Sequence, residues 1–394
     1  MSSGEAVIVG AARIPTGRFL GTLLPLTAPQ LGAVAIREAI KRANIDASVL
    51  DEVIMGNVVQ AGVGQAPARQ AALKAGVPSS ISAVTVNKVC GSGLQAVMFA
   101  AQGIRAGDGK AYVAGGMESV SNAPYLLKQA RTGLRMGNAE VIDADVHDGL
   151  WCAFENQHMG VSAEIIAEKF GITREEQDVF SLESHRKAIS AIREGRFKDE
   201  TVPVEIQQKK GTIVLETDEP PRADTSLEAL AKLSPAFKPG GTVTAGNAPG
   251  LSDGAAALVV MEQGFAREVG AQPMARITGY ASAGIEPKLV FAAPVLAIRK
   301  VMKLTGLSIG DFDLFEVNEA FSAQILANGK ELQWDWAKVN VNGGGVALGH
   351  PIGASGARIL VTLIYALRSR GLRRGMAGLC LGGGGAVALS VELV

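Results

Sequence analysis

The 394-residue chain has few cysteines, histidines and aromatic residues, and it carries no net charge. Its three cysteines and four histidines form neither a disulfide framework nor a Cys/His spacing typical of zinc, so we expect a cytoplasmic protein without metal. Lys+Arg and Asp+Glu both number 38, which argues against a nucleic acid or an acidic membrane as partner. No apolar run is long enough to span a bilayer, and no basic and then apolar leader begins the sequence, so we expect no membrane association.

Glycine, in contrast, is abundant at 48 residues, and short β-branched or apolar runs alternate with alanine-rich helical patterns. This alternation predicts an α/β protein of two or three domains built on a mostly parallel sheet. The predicted strands cover residues 5–10, 51–56, 83–86, 111–116, 253–261 and 313–317. The predicted helices include residues 31–43, 67–75 and 174–193.

The C-terminal part of the chain repeats the plan of the N-terminal part. At one constant offset, Ile36, Lys41 and Asp51 align without gaps on Ile298, Lys303 and Asp313. Further along, residues 91–93 match residues 354–356 at nearly the same offset. We therefore predict two homologous halves, 1–270 and 271–394, packed about a pseudo-twofold axis. The more polar stretch from about 121 to 246 interrupts the first half and is predicted to be an inserted loop domain that holds the substrate.

Cys90 lies in a short segment, residues 87–94, between a predicted strand and a predicted amphipathic helix. The amides and the positive dipole end of that helix would favour the thiolate over the thiol, which is the form of a nucleophilic cysteine. The alternative is a small buried cysteine that acts as a hydrophobic residue, as we expect for Cys152.

The internal repeat gives Cys90 a partner, because residues 349–353 occupy the equivalent turn of the second half. His350 is therefore also predicted to lie where a strand enters a helix, facing Cys90 across the pseudo-twofold axis. An imidazole there could hold Cys90 as a thiolate or take its proton. Without the repeat, a histidine followed by proline would be an ordinary turn residue.

Two more chemically useful groups follow predicted strands. Asn318 comes after the strand 313–317, at the end of an open α/β sheet where active sites gather, and its amide could orient a water or donate to an oxyanion. It could instead cap the next helix. Cys380 ends the predicted last strand, and the glycines after it let backbone N–H groups approach a ligand. No helix opens after these glycines, which argues against a dinucleotide site. The set indicates acyl chemistry, with one thiol acylated and the other moving a proton.

In their order and separations, these motifs resemble those of the thiolase family over nearly the whole chain. The matching segments are residues 87–93, 115–119, 318–321, 349–356 and 380–384. The resemblance implies the thiolase fold, with two duplicated βαβαβαββ halves in five α-β-α-β-α layers. It also implies coenzyme A thioesters as substrate and product, without a permanently bound cofactor.

The resemblance also implies a role for each residue of the site. Cys90 would accept the acyl group after activation by His350, and Cys380 would remove the α-proton of a second acetyl-CoA. Asn318, through a water, and His350 would stabilise one thioester oxygen. The backbone amides of Cys90 and Gly382 would stabilise the other.

The loop domain resembles the family's coenzyme A cover, and the resemblance implies several substrate-binding residues. They are His158 and Met159 beside the pantetheine, Ala245 and Gly246 along the pantetheine arm, Arg222 near the nucleotide, and Phe321. For Arg222, a solvated surface charge is the open alternative. Residues 126–138 resemble the tetramerisation loop of the short-chain branch, which implies a homotetramer built as a dimer of dimers.

The sequence departs from the family pattern at Pro249, where a serine usually contacts the cofactor, and at Val290 and Phe291, near the acyl pocket. The expected reaction is the reversible condensation of two acetyl-CoA to acetoacetyl-CoA and CoA. The alternative is a 3-ketoacyl-CoA thiolase of broader chain length in fatty-acid degradation, which the altered 290–291 loop would favour. A non-catalytic acyl-CoA binder is disfavoured because Cys90, His350 and Cys380 are all present.

Overall fold

The computed structural model describes residues 4–209 and 211–394. The N-terminal half of the chain forms one side of the molecule. This half begins with β1 (Ala6–Arg13), β2 (Gly17–Arg18), α1 (Ala28–Ala43), β3 (Glu52–Gly56), α2 (Pro67–Ala75), β4 (Ser82–Val86), α3 (Ser92–Ala106) and β5 (Ala111–Glu118). Local signals agree with these bounds. Pro29 occupies the first turn of α1, and Asn44 ends that helix in the left-handed conformation.

The inserted region follows β5 and is made of short strands and helices. It contains β6 (Tyr125–Leu126), β7 (Ile142–Asp143), β8 (Trp151–Cys152), β9 (Gln157–His158), α4 (Met159–Lys169), α5 (Arg174–Arg193), β10 (Val204–Gln208), β11 (Gly211–Leu215) and α6 (Leu227–Ala231). Thr173 begins α5 with a capping box to Glu176, so this charged helix starts where its sequence predicts.

The chain then completes the first half and builds the second. The remaining elements are β12 (Ser252–Glu262), α7 (Gln263–Glu268), β13 (Ala275–Gly284), α8 (Ala293–Thr305), β14 (Leu314–Val317), α9 (Ser322–Leu332), α10 (Gly345–Leu348), α11 (Ser355–Ser369), β15 (Arg374–Leu381) and β16 (Gly385–Leu393). Cys380 therefore lies in the strand before the last, since β16 follows it.

The strands form a mixed sheet, so the prediction of a mostly parallel sheet is wrong. The first half has the order β4-β3-β5-β12-β1 and the second β13-β16-β15-β14. Among the strands of residues 4–209 and 211–394, β3 pairs in parallel with β4 and β5, and β14 pairs in parallel with β15, whereas the other strand pairs are antiparallel. Strand β12, which closes the first half, follows the loop domain. Strand β16, which closes the second half, follows a tight glycine turn. Neither connection is a crossover helix, so an antiparallel return is allowed.

The layers match the predicted thiolase fold. The two halves meet where β1 pairs with β13, at Val7–Arg276 and Ile8–Ala275. Helices α3 and α11 lie between the two half-sheets and share one hydrophobic core with both. The outer face of the first half packs on α1 and α2, and that of the second half packs on α8 and α9. The result is the expected α-β-α-β-α order, with the central helices leading directly from the site segments.

No helix among the described residues is both long and apolar enough to cross a bilayer. Within the same ranges, no cluster of three or more His, Cys, Asp or Glu side chains is arranged to hold a metal ion.

Candidate active site

The segments that carry Cys90, Asn318, His350 and Cys380 meet at the carboxyl ends of strands. The Asn318 amide nitrogen is 3.4 Å from each ring nitrogen of His350. The turns of the two cysteines touch as well, because a methyl group on Gly382 would lie 3.2 Å from a Val89 side-chain carbon. Cys90 packs against the hydrophobic cluster of Ile352, two residues after His350, so the structure brings together the four segments that the sequence predicts to form one site.

The Cys90 turn is held tightly by its own hydrogen bonds and carries strain. The Ser92 hydroxyl donates to the Val89 carbonyl at 2.6 Å and accepts from the Lys88 amide at 2.8 Å. Val89 has a φ of 48°, in the left-handed region that a β-branched residue rarely adopts. This backbone conformation costs about 1–3 kcal/mol. It also sets the direction in which the next residue, Cys90, presents its thiol.

The pKa of Cys90 favours the thiol at rest, whereas the helix dipole alone would favour the thiolate. Burial raises the pKa of Cys90 to about 12, although hydrogen bonds from the backbone N–H groups of Gly382 and Cys90 itself oppose the rise. A helix N-terminus is worth about 1 kcal/mol, which is less than the cost of removing a thiolate from water. Attack by Cys90 therefore needs a base that takes its proton.

His350 is the candidate for that base, because its imidazole is neutral at rest: burial, with the Arg358 charge as a second cause, lowers its pKa to about 3. A lower pKa also makes the imidazole a weaker base, so the proton must move as the sulfur attacks the thioester. Its Nδ1 lies 2.5 Å from the Ser355 hydroxyl, which also lies 2.8 Å from the Pro351 carbonyl. A hydroxyl has a single proton to donate, and only the carbonyl must accept. Ser355 therefore accepts from Nδ1–H, which leaves Nε2 free to take a proton. No sequence pattern indicates this role for Ser355.

The prediction that a strand leads into His350 is wrong. Within the described range 211–394, the segment before it holds the short helix α10 and no strand. Where the repeat predicts a strand beside β14, the structure has a single β-bridge between Phe315 and Val339. The repeat located the His350 turn correctly, but the chain reaches it by an added helical turn.

Cys380 is only 2% exposed and belongs to the same hydrophobic cluster as Phe291 and Phe321. Burial, and then the proximity of a negative charge on Cys90, raise the pKa of Cys380. The two sulfurs are thus close enough for the charge of one to act on the other. Once ionised, a thiol with a raised pKa is a stronger base than an ordinary one.

Asn318 does not cap the following helix, so that alternative is wrong. Helix α9 begins at Ser322 and its N-cap residue is Phe321. The Asn318 side chain is fully buried, and its Oδ1 has no hydrogen-bond partner among residues 4–209 and 211–394. Its amide faces His350 instead, which fits a role in orienting a ligand or water.

Glu319, next to Asn318, holds the segment in place, although the sequence motif alone gave it no role. Its buried carboxylate accepts hydrogen bonds from the Ser184 hydroxyl at 2.7 Å, the Asn340 amide at 2.9 Å and the Val346 N–H at 3.0 Å. These partners come from α5, from the segment after α9, and from α10. Glu319 thereby ties the inserted region to both sides of the site.

The predicted substrate residues His158 and Phe321 belong to a row of four packed rings, which we call the aromatic wall: His158, Phe237, Phe321 and Phe291. The His158 ring stacks on Phe237 at 4.7 Å, Phe237 meets Phe321 edge-on at 6.1 Å, and Phe321 meets Phe291 at 5.2 Å. His158 also caps α4, since its Nδ1 accepts from the Gly160 N–H at 3.0 Å. The wall ends beside Cys380 and so bounds the site on the side of the inserted region.

Met159 and Gly382 line one cavity of about 1020 Å³ that reaches the Cys90 turn at Val89. Part of its rim comes from β8 and the residues after it, including Trp151 and Cys152. Cys152 is buried in the lining of this cavity, in agreement with its predicted packing role. The cavity is large enough for the arm of an extended thioester.

Ala245 and Gly246 lie on a turn at the end of the inserted region, before the chain returns to β12 of the first half. Asn247 accepts the Thr244 N–H at 2.8 Å with its side chain, and its carbonyl accepts the Ser322 N–H at 3.0 Å. The turn is therefore fixed to the first residue of α9, close to the aromatic wall.

Arg222 lies apart from these groups, at the surface. Its side chain is exposed, and its backbone N–H donates to His185 Nδ1 at 3.1 Å. Arg222 lines a cleft of about 380 Å³ together with Arg186 and Arg193. Three guanidinium groups around one cleft suit an anionic group.

Two duplicated α/β halves that bring two thiols, an imidazole and an amide into one site define the thiolase class. The models of "Thiolase, N-terminal domain" and "Thiolase, C-terminal domain" match residues 6–264 and 271–393, so the chain belongs to the thiolase family. The chain is 53% identical to the acetyl-CoA acetyltransferase of Pseudomonas aeruginosa, over 98% of this chain and 99% of that protein. It is 54% identical to that of Escherichia coli K12, with the same coverage. The crystal structure of the Bacillus anthracis acetyl-CoA acetyltransferase superposes with a TM-score of 0.98, at 46% identity and full coverage of both chains.

Proposed function

We propose that the protein is an acetyl-CoA C-acetyltransferase, which reversibly condenses two acetyl-CoA to acetoacetyl-CoA and CoA through an acyl-Cys90 intermediate. The observation that carries this proposal is a site that brings together a nucleophile, a neutral imidazole and a second buried thiol, next to a cavity lined by Val89 and Gly382. The names of relatives that are about half identical over nearly their whole length support the same reaction.

In the first step, His350 Nε2 takes the Cys90 proton while the sulfur attacks the thioester carbonyl of acetyl-CoA. The tetrahedral oxygen accepts hydrogen bonds from the N–H groups of Cys90 and Gly382, each worth roughly 3 kcal/mol of barrier. The intermediate collapses to acyl-Cys90, and the departing CoA sulfur takes the proton of Cys380. The step leaves Cys380 as a thiolate and His350 protonated.

In the second step, the Cys380 thiolate removes an α-proton from a second acetyl-CoA. The enolate oxygen accepts a hydrogen bond from protonated His350 and, through a water, from Asn318. The enolate carbon attacks acyl-Cys90, acetoacetyl-CoA leaves, and His350 returns its proton to Cys90. Both cysteines are thiols again, so the cycle closes.

Two variants test these roles. With labelled acetyl-CoA, we expect Cys90→Ser to form no acyl-enzyme. Cys380→Ser should still be acylated but should not exchange the α-protons with solvent. Full exchange in Cys380→Ser would show that another group is the base.

Chain length decides between this reaction and the broader 3-ketoacyl-CoA thiolase. Phe291 is 3% exposed and closes the aromatic wall beside Cys380, which favours a short acyl group. The test is the rate of thiolysis against a series of 3-ketoacyl-CoA lengths. Equal or better kcat/KM on the longer members would favour fatty-acid degradation.

We also propose that residues 1–270 and 271–394 are the two functional halves, with 121–246 covering coenzyme A. In this arrangement Arg222 meets the nucleotide phosphates, and Met159, Ala245 and Gly246 follow the pantetheine arm. The guanidinium cleft and the cavity beside Met159 support these assignments. Three free cysteines support a cytoplasmic location.

A homotetramer is our proposal for the assembly. Large apolar side chains project from the 126–138 loop, among them Met136, which is 99% exposed. Strand β4 is an edge of its sheet and carries the exposed Val84. An edge strand with an apolar side chain is a ready partner for its own copy. Light scattering of the purified protein measures the assembly, and a monomer would refute the proposal.

A further inference from the structure

Glu118, the last residue of β5, is fully buried and accepts four hydrogen bonds. Its Oε1 accepts from the Asn57 side-chain amide at 2.7 Å and the Val59 N–H at 3.2 Å. Its Oε2 accepts from the Val58 N–H at 3.0 Å and the Gly353 N–H at 2.8 Å. The first three groups follow β3 of the first half, whereas Gly353 belongs to residues 349–356, which we call the His350 segment.

The His350 segment rests on the end of β5 without spare room. A methyl group on Gly353 would lie 2.7 Å from Glu118 Oε2 and 2.9 Å from the Met117 carbonyl oxygen. Conversely, a methyl group on Gly116 would lie 2.0 Å from the Gly353 carbonyl oxygen. Because packing here is that close, any displacement of the Glu118 carboxylate moves the segment.

All four partners of Glu118 are N–H donors, so each carboxylate oxygen must accept two hydrogen bonds. Only the ionised carboxylate can do so, because an acid or an amide would turn a proton toward a donor. Burial raises the pKa of Glu118 to about 7, while the N–H groups of Val58, Gly353 and Val59 oppose the rise and the charge of Asp145 adds to it. The carboxylate also lies near Cys90, since its charge raises the pKa of that thiol.

We infer that Glu118 is a positioning residue, whose ionised carboxylate fixes the His350 segment of one half on the other half. It thereby sets where His350 stands relative to Cys90. The inference rests on the proposed function, because it assigns Glu118 to the Cys90–His350 pair. Glu118 itself touches neither the substrate nor the reacting atoms.

The test is Glu118→Gln in the full-length chain, which keeps the size of the side chain but places an NH₂ against two N–H donors. Without any thioester, iodoacetamide alkylation of Cys90 is followed by peptide mass spectrometry. We expect the alkylation rate at pH 8 to fall at least about tenfold, because His350 no longer reaches the thiol well. In steady state, we expect kcat to fall with it while KM stays within about twofold.

The sign of the alkylation effect separates position from charge. If Glu118 acted on Cys90 only through its charge, the glutamine would ease ionisation of the thiol and speed alkylation. A folded Glu118→Gln that alkylates as fast as the wild type, or faster, overturns the inference. Should this variant fail to fold, Glu118→Asp is used, whose shorter side chain cannot reach both loops. A wild-type alkylation rate in the aspartate variant overturns the inference equally.

Glu200→Gln is the matched control. Glu200 is also fully buried, and its carboxylate accepts from Arg13 at 2.5 Å and from Thr362 at 2.9 Å, both outside the His350 segment. We expect it to lower the melting temperature while leaving kcat and Cys90 alkylation unchanged. Failure of the wild type to form acetoacetyl-CoA would refute the proposed function, and the alkylation rates would still test the role of Glu118.

Discussion

Asp145 is a buried carboxylic acid that the fold leaves without compensation. It begins the π-helical turn Asp145–Leu150 and is 3% exposed. Neither of its carboxylate oxygens has a hydrogen-bond partner among residues 4–209 and 211–394. Burial, and then the charges of Asp143 and Asp253, raise its pKa from the ordinary 3.8 to about 7. We therefore expect Asp145→Asn to stabilise the protein, and more so at high pH.

The sign and size of this effect on the free energy of unfolding follow from the linkage between proton binding and folding. Between pH 3.8 and about 7, the folded protein holds a proton on Asp145 that the unfolded chain has lost, so stability falls as pH rises through this window. At pH 8 the shift of the Asp145 pKa from 3.8 to about 7 lowers the free energy of unfolding by about 4 kcal/mol. At pH 5 the same shift lowers it by about 1.5 kcal/mol. Because asparagine stays neutral, its advantage should grow by about 2–3 kcal/mol from pH 5 to pH 8.

Urea unfolding at pH 5, 6, 7 and 8 and at one fixed protein concentration measures this difference. Asp148→Asn is the control, since Asp148 lies on the same turn but is 44% exposed at its side chain. We expect it to leave the pH dependence as in the wild type. If the advantage of Asp145→Asn were the same at pH 5 and pH 8, the argument from burial of the charge would be wrong.

Three other variants give sharp expectations. Ser355→Ala removes the acceptor that fixes the His350 tautomer, so kcat should fall at least about tenfold with little change in KM, and a wild-type kcat would contradict the assigned tautomer. Phe291→Ala opens the aromatic wall beside Cys380, so kcat/KM for a six-carbon 3-ketoacyl-CoA should rise about tenfold relative to acetoacetyl-CoA. An unchanged ratio would place the length limit elsewhere. Arg222→Ala should raise KM for acetyl-CoA several-fold at unchanged kcat. Equal KM values in the variant and the wild type would show that Arg222 is a solvated surface charge that does not bind the substrate.

Short motifs and periodicity predicted most of the fold that surrounds the site. Helices 67–75 and 174–193 have the predicted bounds because proline, capping residues and polar flanks mark their ends. The mixed sheet was not predictable in the same way. Whether β12 returns parallel or antiparallel depends on how the loop domain folds, and no local pattern in β12 records that.

The chemical state of the site depended on burial, which the sequence shows poorly. The turn before α3 does place Cys90 at a helix N-terminus, as predicted. The depth of the surrounding core then decides between thiol and thiolate, and that core includes residues from the other half. Glu118 and Glu319 were missed for a related reason: a glutamate in a motif is usually solvent-exposed, and its buried partners lie far away in sequence.

The two halves differ at the place where their chemistry differs. In the first half, β4 leads straight into the Cys90 turn, so the sheet itself holds the nucleophile. In the second half, that strand is a single bridge, and α10 intervenes before His350. Two buried carboxylates take the place of the sheet: Glu319 accepts the Val346 N–H at 3.0 Å before His350, and Glu118 accepts the Gly353 N–H at 2.8 Å after it. One carboxylate belongs to each half, so His350 is held from both sides only when the halves are docked together. The duplication therefore does more than supply two equivalent turns, because the position of the base depends on the interface between them.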